Sequence, residues 1–333
     1  MAKFITFLYG TGVLYGMNTA IDSVSPEQGP SIGGNKFIIS GEGFDPRQWN
    51  DLFNTGLLDT VKWTDISSGS GSISTGPFHL QLSTGTTIGS IAGVESKALF
   101  TDAQGEIRTT FNPIIVYPNN DVSLVDYLFY IDANNYAKMS VTLSGLDKSL
   151  KLSCEVYVGG TLADNSIPLD WTTGLSVFKI LRKGTTIYFI ANGEVIFKSM
   201  RFVNNPATFR IYSNNLTDTL DVNGTKIEWF AYRTYAAFGE QVVHDTLVVS
   251  NNRVRGIVPP SIDDRTIEAA YAGLIDVFVA GNGSYTLNNA YEYYYLESLK
   301  VINSSQFDTK LSFINDEQVA TPEGYSKGLG DGK

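Results

Sequence analysis

Apolar residues along this chain return every second position, in short runs closed by Gly, Asn and Asp, and nowhere hold a 3.6-residue period for long. Alternation of this kind puts one face of an extended strand in a core and the other in solvent. The chain is therefore expected to be all-β. Residues 177–182 make one strand, and 186–190 and 195–198 two more. Between the latter pair sits Ala191-Asn192-Gly193-Glu194, where Asn-Gly tolerates positive φ at both central positions of a type I′ hairpin turn. Asn223-Gly224 ahead of 226–232 predicts another hairpin. Leu152, Cys154, Val156 and Val158 share one face of a further strand. Cys154 thus reads as a small core residue and not as a nucleophile, since no histidine lies near it in sequence. Helical candidates reduce to 46–58 and 261–272.

Composition narrows the function classes. Of 333 residues, 43% are apolar and 17% charged, which excludes a disordered chain. At roughly 100–200 residues per domain, two domains are the default. A net charge of −10 leaves no basic footprint for nucleic acid or anionic lipid. One cysteine excludes an intrachain disulfide framework and a multi-thiolate zinc site, and two histidines leave little room for imidazole chemistry. No apolar run approaches the ~18 residues of a membrane span. Residues 4–9 are nearly long enough for a signal peptide, but Gly10, Gly12 and Gly16 interrupt the stretch after them, so none is expected. Phe7, Leu8, Tyr9, Leu14 and Tyr15 form two Leu-Tyr-Gly steps. They read either as a hairpin over this chain's own core or as an arm, residues 1–20, docking on a partner subunit. The aromatic run 291–295 divides similarly: Tyr291, Tyr293 and Tyr295 close a sandwich, while Tyr294 faces the other way and suits an interface.

Residues 21–46 carry Ile21, Ser23, Pro26, Gly29, Gly33, Gly34, Ile39, Gly41, Gly43 and Phe44 at the spacing of an IPT/TIG immunoglobulin-like domain, which this stretch resembles. The second half of such a sandwich comes only near residue 246, with alternating Ile275, Val277 and Val279. The resemblance implies an IPT/TIG sandwich split into 21–49 plus 244–295, with a second domain inserted at a surface loop. Within the insert, 50–243, residues Phe178, Ile180, Arg182, Gly184, Ile187, Tyr188, Asn192 and Gly193 resemble a strand–hairpin–strand unit of concanavalin A-like lectin/glucanase jelly rolls. Residues 296–333 form a C-terminal extension. The combination resembles structural proteins of tailed-phage virions.

Reactive constellations are scarce. A retaining glycosidase needs two carboxyls roughly 5 Å apart, supplied by alternate residues of one strand. The nearest candidates, Asp126 and Asp132, are too far apart, and Glu228 stands alone. His79 and His244 lie near no nucleophile elbow, and alternation sends Phe78, Leu80 and Leu82 inward on either side of His79. Asp132-Ala133-Asn134-Asn135 and Asp218-Thr219-Leu220-Asp221 bring oxygens close enough for Ca²⁺, yet Asx turns explain both. No catalytic residue, cofactor or metal is expected. Glycan contact is placed on Tyr136 with Asp132, Asn134 and Asn135, and on Trp171, which either stacks on sugar or folds back over the core. Trp63 and Trp229 read as core. The expectation is a non-enzymatic virion component (decoration, collar, tail or baseplate) assembled in a host cytoplasm. It would join other virion proteins or its own copies through both termini and meet host-surface glycans. The alternative is a bacterial adhesin or carbohydrate-binding protein, and the third reading a glycoside hydrolase.

Overall fold

The computed structural model describes residues 19–45, 49–111, 120–215, 225–243, 246–261, 273–281 and 283–294. The arm residues Phe7, Leu8, Tyr9, Leu14 and Tyr15, the hairpin at Asn223-Gly224, His244 and the extension 296–333 lie outside them. Among the described residues there is no α-helix.

The first segment carries β1 (Ala20–Ser25), β2 (Gln28–Pro30) and β3 (Lys36–Glu42). Next come β4 (Trp63–Asp65), β5 (Ser72–Gly76), β6 (His79–Ser83), β7 (Ile91–Ser96), β8 (Ala103–Phe111), β9 (Val122–Asp132) and β10 (Asn135–Leu143). They are followed by β11 (Leu150–Val158), β12 (Thr161–Asn165), β13 (Leu169–Trp171), β14 (Gly174–Lys183), β15 (Thr186–Ala191), β16 (Glu194–Ser199), β17 (Thr208–Asn214) and β18 (Thr225–Arg233). The last segment adds β19 (Tyr235–Phe238), β20 (Gln241–Val243), β21 (Leu247–Ser250), β22 (Arg253–Ile257), β23 (Gly273–Ala280) and β24 (Ser284–Tyr294).

Among the described residues the chain packs as two compact units. One spans residues 49–233; the other joins 19–45 to 234–294. In the split unit, sheet β1-β3-β22-β21 faces sheet β2-β24-β23-β19-β20. Alternation drives Phe37, Ile39, Val254, Val277, Val279, Tyr291 and Tyr293 into one core, which includes Phe44 and against which Val248 packs. The buried Asn35 side chain donates to the Tyr291 hydroxyl at 3.2 Å. Tyr294 pairs with Pro30 and is half-buried. The expected return at residue 244 is corrected to Thr234. Ala236 and Phe238 face the core of this unit, and β19 and β20 form its own hairpin across a Gly239 turn with φ 58°.

The larger unit stacks two antiparallel sheets, an arrangement of the jelly-roll kind. One runs β12-β11-β10-β9-β17-β7-β4, with β13 also on β11; the other runs β16-β15-β14-β8-β18-β6-β5. The hairpin between β15 and β16 turns on Asn192 (φ 50°) and Gly193 (φ 91°), as the sequence predicts. Cys154 is buried between the sheets. Arg182 is fully buried as well. It donates from Nε to the Gly184 carbonyl (2.9 Å) and from Nη1 to the Asn205 carbonyl (2.6 Å), and its Nη2 donates to Asn204 Oδ1. Its guanidinium also lies near the Phe129 and Phe202 rings.

Two local readings change. Residues 50–58, in the first helical candidate, run as irregular chain, with Asp51 bridged to Phe230. Trp63 is core, but Trp229 is half-buried beside the Arg233 guanidinium, because β18 shifts register between Ile227 and Trp229 and turns the ring outward.

Candidate functional site

The inward alternation of β9, β10, β11, β17 and β7 fixes which side chains stand on the outer face of the eight-stranded sheet. Ala137, Met139 and Val141 go inward from β10, so Tyr136, Lys138 and Ser140 go outward. Leu152, Cys154 and Val156 go inward from β11, leaving Ser153, Glu155 and Tyr157 outside. On β9, Tyr127 and Phe129 are core, and Asp126, Leu128 and Tyr130 are outer. The strand register aligns these residues in rows across the sheet.

One row reads Tyr157, Tyr136, Tyr130, Thr208. The Tyr136 ring lies 4.6 Å from that of Tyr157 and 6.4 Å from that of Tyr130, tilted by 21° and 23° respectively. The next row reads Glu155, Lys138, Leu128, Arg210, Glu95. Lys138 Nζ meets Glu155 at 3.0 Å, and Arg210 meets Glu95 at 2.9 Å while covering the Tyr130 ring. Thr208 donates its hydroxyl to Glu95 at 2.7 Å. A third row, on the other side of the ion pairs, reads Ser153, Ser140, Asp126, Tyr212, Gly93. Gly93 is required there, since a Cβ would stand 2.3 Å from that of Tyr212. The face thus offers a half-buried aromatic ridge, a band of paired charges, and a hydroxyl-lined strip around one buried carboxyl.

That carboxyl is Asp126. Ser140 donates to its Oδ1, and Asn214 to its Oδ2 at 2.7 Å. Burial raises its pKa above the ordinary 3.8, against lowering by Lys138, Ser140 and Ser123. Burial pulls the Lys138 ammonium down, but Asp126 and Glu155 more than offset this, and its pKa ends raised. Burial also raises the Tyr212 hydroxyl. Because the folded-state value of Asp126 exceeds the unfolded one, its contribution to stability is fullest below about pH 3.8 and is lost as pH rises through the folded value. Asp126→Asn removes that dependence. Its stability relative to the natural chain is therefore expected to improve from pH 4 to pH 7 in urea unfolding, and an unchanged difference contradicts this.

The structure distributes the sequence-predicted residues unevenly. Tyr136 lies in the centre of the ridge. Asp132, Asn134 and Asn135 form the β9–β10 turn beside it: Asp132 accepts from the Asn134 backbone at 2.8 Å and the Asn135 amide at 3.0 Å, which lowers its pKa. Among the described residues no group of acidic, histidine or cysteine side chains is arranged to hold a metal. Trp171 is elsewhere. It pairs with Leu150 at the far end of β11 from Tyr157, roughly 23 Å away at about 3.3 Å per residue. It packs on Phe178 and donates Nε1–H to Ser176 at 3.1 Å. Sequence reasoning did not single out Tyr130, Tyr157, Arg210, Glu95, Lys138 or Glu155 as site residues. Phe78, expected inward, is 68% exposed with φ 65°, because it occupies the β5–β6 turn. His79 is half-buried there.

On the other sheet's outer face Glu106 pairs with Lys179 (3.0 Å) and Arg233 (3.4 Å), and Glu228 with Arg108 (2.8 Å). Asp126 and Asp132 stand six residues apart on β9, roughly 20 Å.

No protein family matches the chain, and no curated protein does. Solved structures do, at 12–16% identity. The Bacteroides ovatus xyloglucan-locus GH43B protein matches at TM-score 0.43 and 15% identity over 56% of this chain, which spans 39% of that protein. A Bacillus licheniformis β-glucanase matches at 0.42 and 13% over 55% of this chain and 96% of its own. A pseudo β-1,3-glucanase of Mycobacterium tuberculosis matches at 0.41 and 14% over 55% and 97%. The likeness is one of fold, the concanavalin A-like lectin/glucanase jelly roll, and transfers no residue roles. It corrects the expectation of a non-enzymatic tailed-phage virion protein: the similar structures carry the names of glycoside hydrolases and glucanases.

Proposed function

We propose that the larger unit is a carbohydrate-active module that seats a glycan strand across the outer face of the eight-stranded sheet. The observation that carries this reading is the row Tyr157, Tyr136, Tyr130, flanked by Lys138–Glu155 and Arg210–Glu95. Tyrosine rings bury the apolar C–H face of a sugar at low entropic cost and keep a hydroxyl for hydrogen bonding. The paired charges supply donors and acceptors for sugar hydroxyls. A glycan array with the full chain tests it. Binding that Tyr136→Ala with Tyr157→Ala abolishes is expected, and no binding to any glycan sinks the reading.

One observation favours cleavage of the bound glycan. Asp126 is a carboxyl whose acid form is stabilised by burial, as a general acid requires. Release of reducing ends from a bound glucan is expected, stopped by Asp126→Asn with binding retained. Undiminished release by that variant removes Asp126 from the chemistry.

The split unit we assign to the IPT/TIG type. The shared core of Phe37, Ile39, Phe44 and Tyr291 and the positive-φ Gly33-Gly34 corner support this reading.

A further inference from the structure

The split unit carries a cationic patch on one outer face and an acidic patch on the other. On sheet β1-β3-β22-β21, the residues opposed to the core include Lys36 and Ile38 of β3, Arg253, Arg255 and Ile257 of β22, and Leu247 of β21, with the carboxylates Asp22 of β1 and Glu42 of β3 at the Arg253 end. Register places Arg255 between Ile38 and Leu247, and Ile257 against Lys36. All of these are exposed, with Ile257 at 59% and Leu247 at 48%. Lys36, Arg253 and Arg255 have no carboxylate partner among the described residues. Glu42, one row beyond Arg253, forms no ion pair with it.

On sheet β2-β24-β23-β19-β20 the outward positions Tyr235 and Ala237 of β19 and Phe278 of β23 are buried, and the exposed ones lie where the start of β23 meets the end of β24. Leu274, 54% exposed, pairs with Glu292, and Asp276 follows two residues along β23. Asp276 and Glu292 are exposed and have no cation partner among the described residues. Each exposed patch is aliphatic and charged, without the aromatic platform on which a sugar stacks.

We infer that the cationic face of one copy docks on the acidic face of the next, in a head-to-tail contact between two copies of this chain. Three cations with no carboxylate partner among the described residues, on a chain of net charge −10, find their complement in the acidic patch of that chain's other sheet. Aliphatic residues within each charged set supply the apolar contact. The contact is heterologous, because two different surfaces meet, so it extends to short oligomers rather than stopping at a two-fold dimer. A four-stranded sheet face measures roughly 19 by 20 Å, about half the ~800 Å² per partner of a stable complex. The association is therefore weak and salt-sensitive.

Sedimentation velocity of the full chain, from about 5 to 300 µM, tests this at low salt and at 0.5 M NaCl. A sedimentation coefficient rising with concentration at low salt, and flat at high salt, is expected. Arg255→Glu alone and Glu292→Arg alone should each weaken association at least tenfold, while the double variant Arg255→Glu/Glu292→Arg should regain it. Absence of low-salt association overturns the inference, as does association that ignores the single variants or is not regained by the swap. These positions are exposed, and circular dichroism checks that each variant is folded.

Discussion

Arg182→Met is expected to destabilise the larger unit by about 3–5 kcal/mol, lowering its Tm by roughly 10 °C or more. Methionine fills much of the volume and restores apolar contact with Phe129 and Phe202. It cannot donate to the Gly184 and Asn205 carbonyls or the Asn204 amide oxygen, and each buried acceptor left alone costs about 1–3 kcal/mol. Arg182→Lys keeps the charge but not the planar fork, so it should recover little. Urea unfolding reads both variants. A loss below about 1 kcal/mol for the methionine variant would mean that the acceptors find other donors.

Tyr136→Ala should weaken glycan binding by about 2 kcal/mol, roughly thirtyfold, while barely moving stability. Tyr136 is the central ring of its row, so its loss both removes a platform and frees Tyr130 and Tyr157 to shift. Its half-exposed position limits the folding cost to the scale of one cross-strand pair, about 0.2–1 kcal/mol. Isothermal titration with a glycan identified on the array, alongside a thermal melt, separates the two effects. Equal loss of binding and of stability would make Tyr136 a structural residue only.

Local chemistry and the return of the chain to its first sandwich were legible in the sequence; the strand order of the larger unit was not. The Asn192-Gly193 turn, the inward face of β11 and the Ile275–Val279 alternation derive from turn chemistry and a two-residue period. The same period that buries Leu152, Cys154 and Val156 must send Glu155 and Tyr157 outward. Half of the candidate face was therefore available as the complement of the core. No local pattern supplies which strands lie side by side. Arg210 meets Leu128 across 82 positions of chain, and Glu95 meets Arg210 across 115, so the rows exist only once the sheet order is known. Register shifts misled in a second way, turning Trp229 outward against simple alternation. The return into the split unit was placed too late because β19 and β20 are short and read equally well as a continuation of β18.

The most direct test of the tyrosine face compares calorimetric titrations of one glycan into the natural chain, Tyr136→Ala and Trp171→Ala. If the ridge on β9, β10 and β11 holds the sugar, Tyr136→Ala loses at least tenfold in affinity and a folded Trp171→Ala keeps the natural value. Undiminished binding by Tyr136→Ala, or selective loss in Trp171→Ala, places the glycan elsewhere and contradicts the assignment of this face.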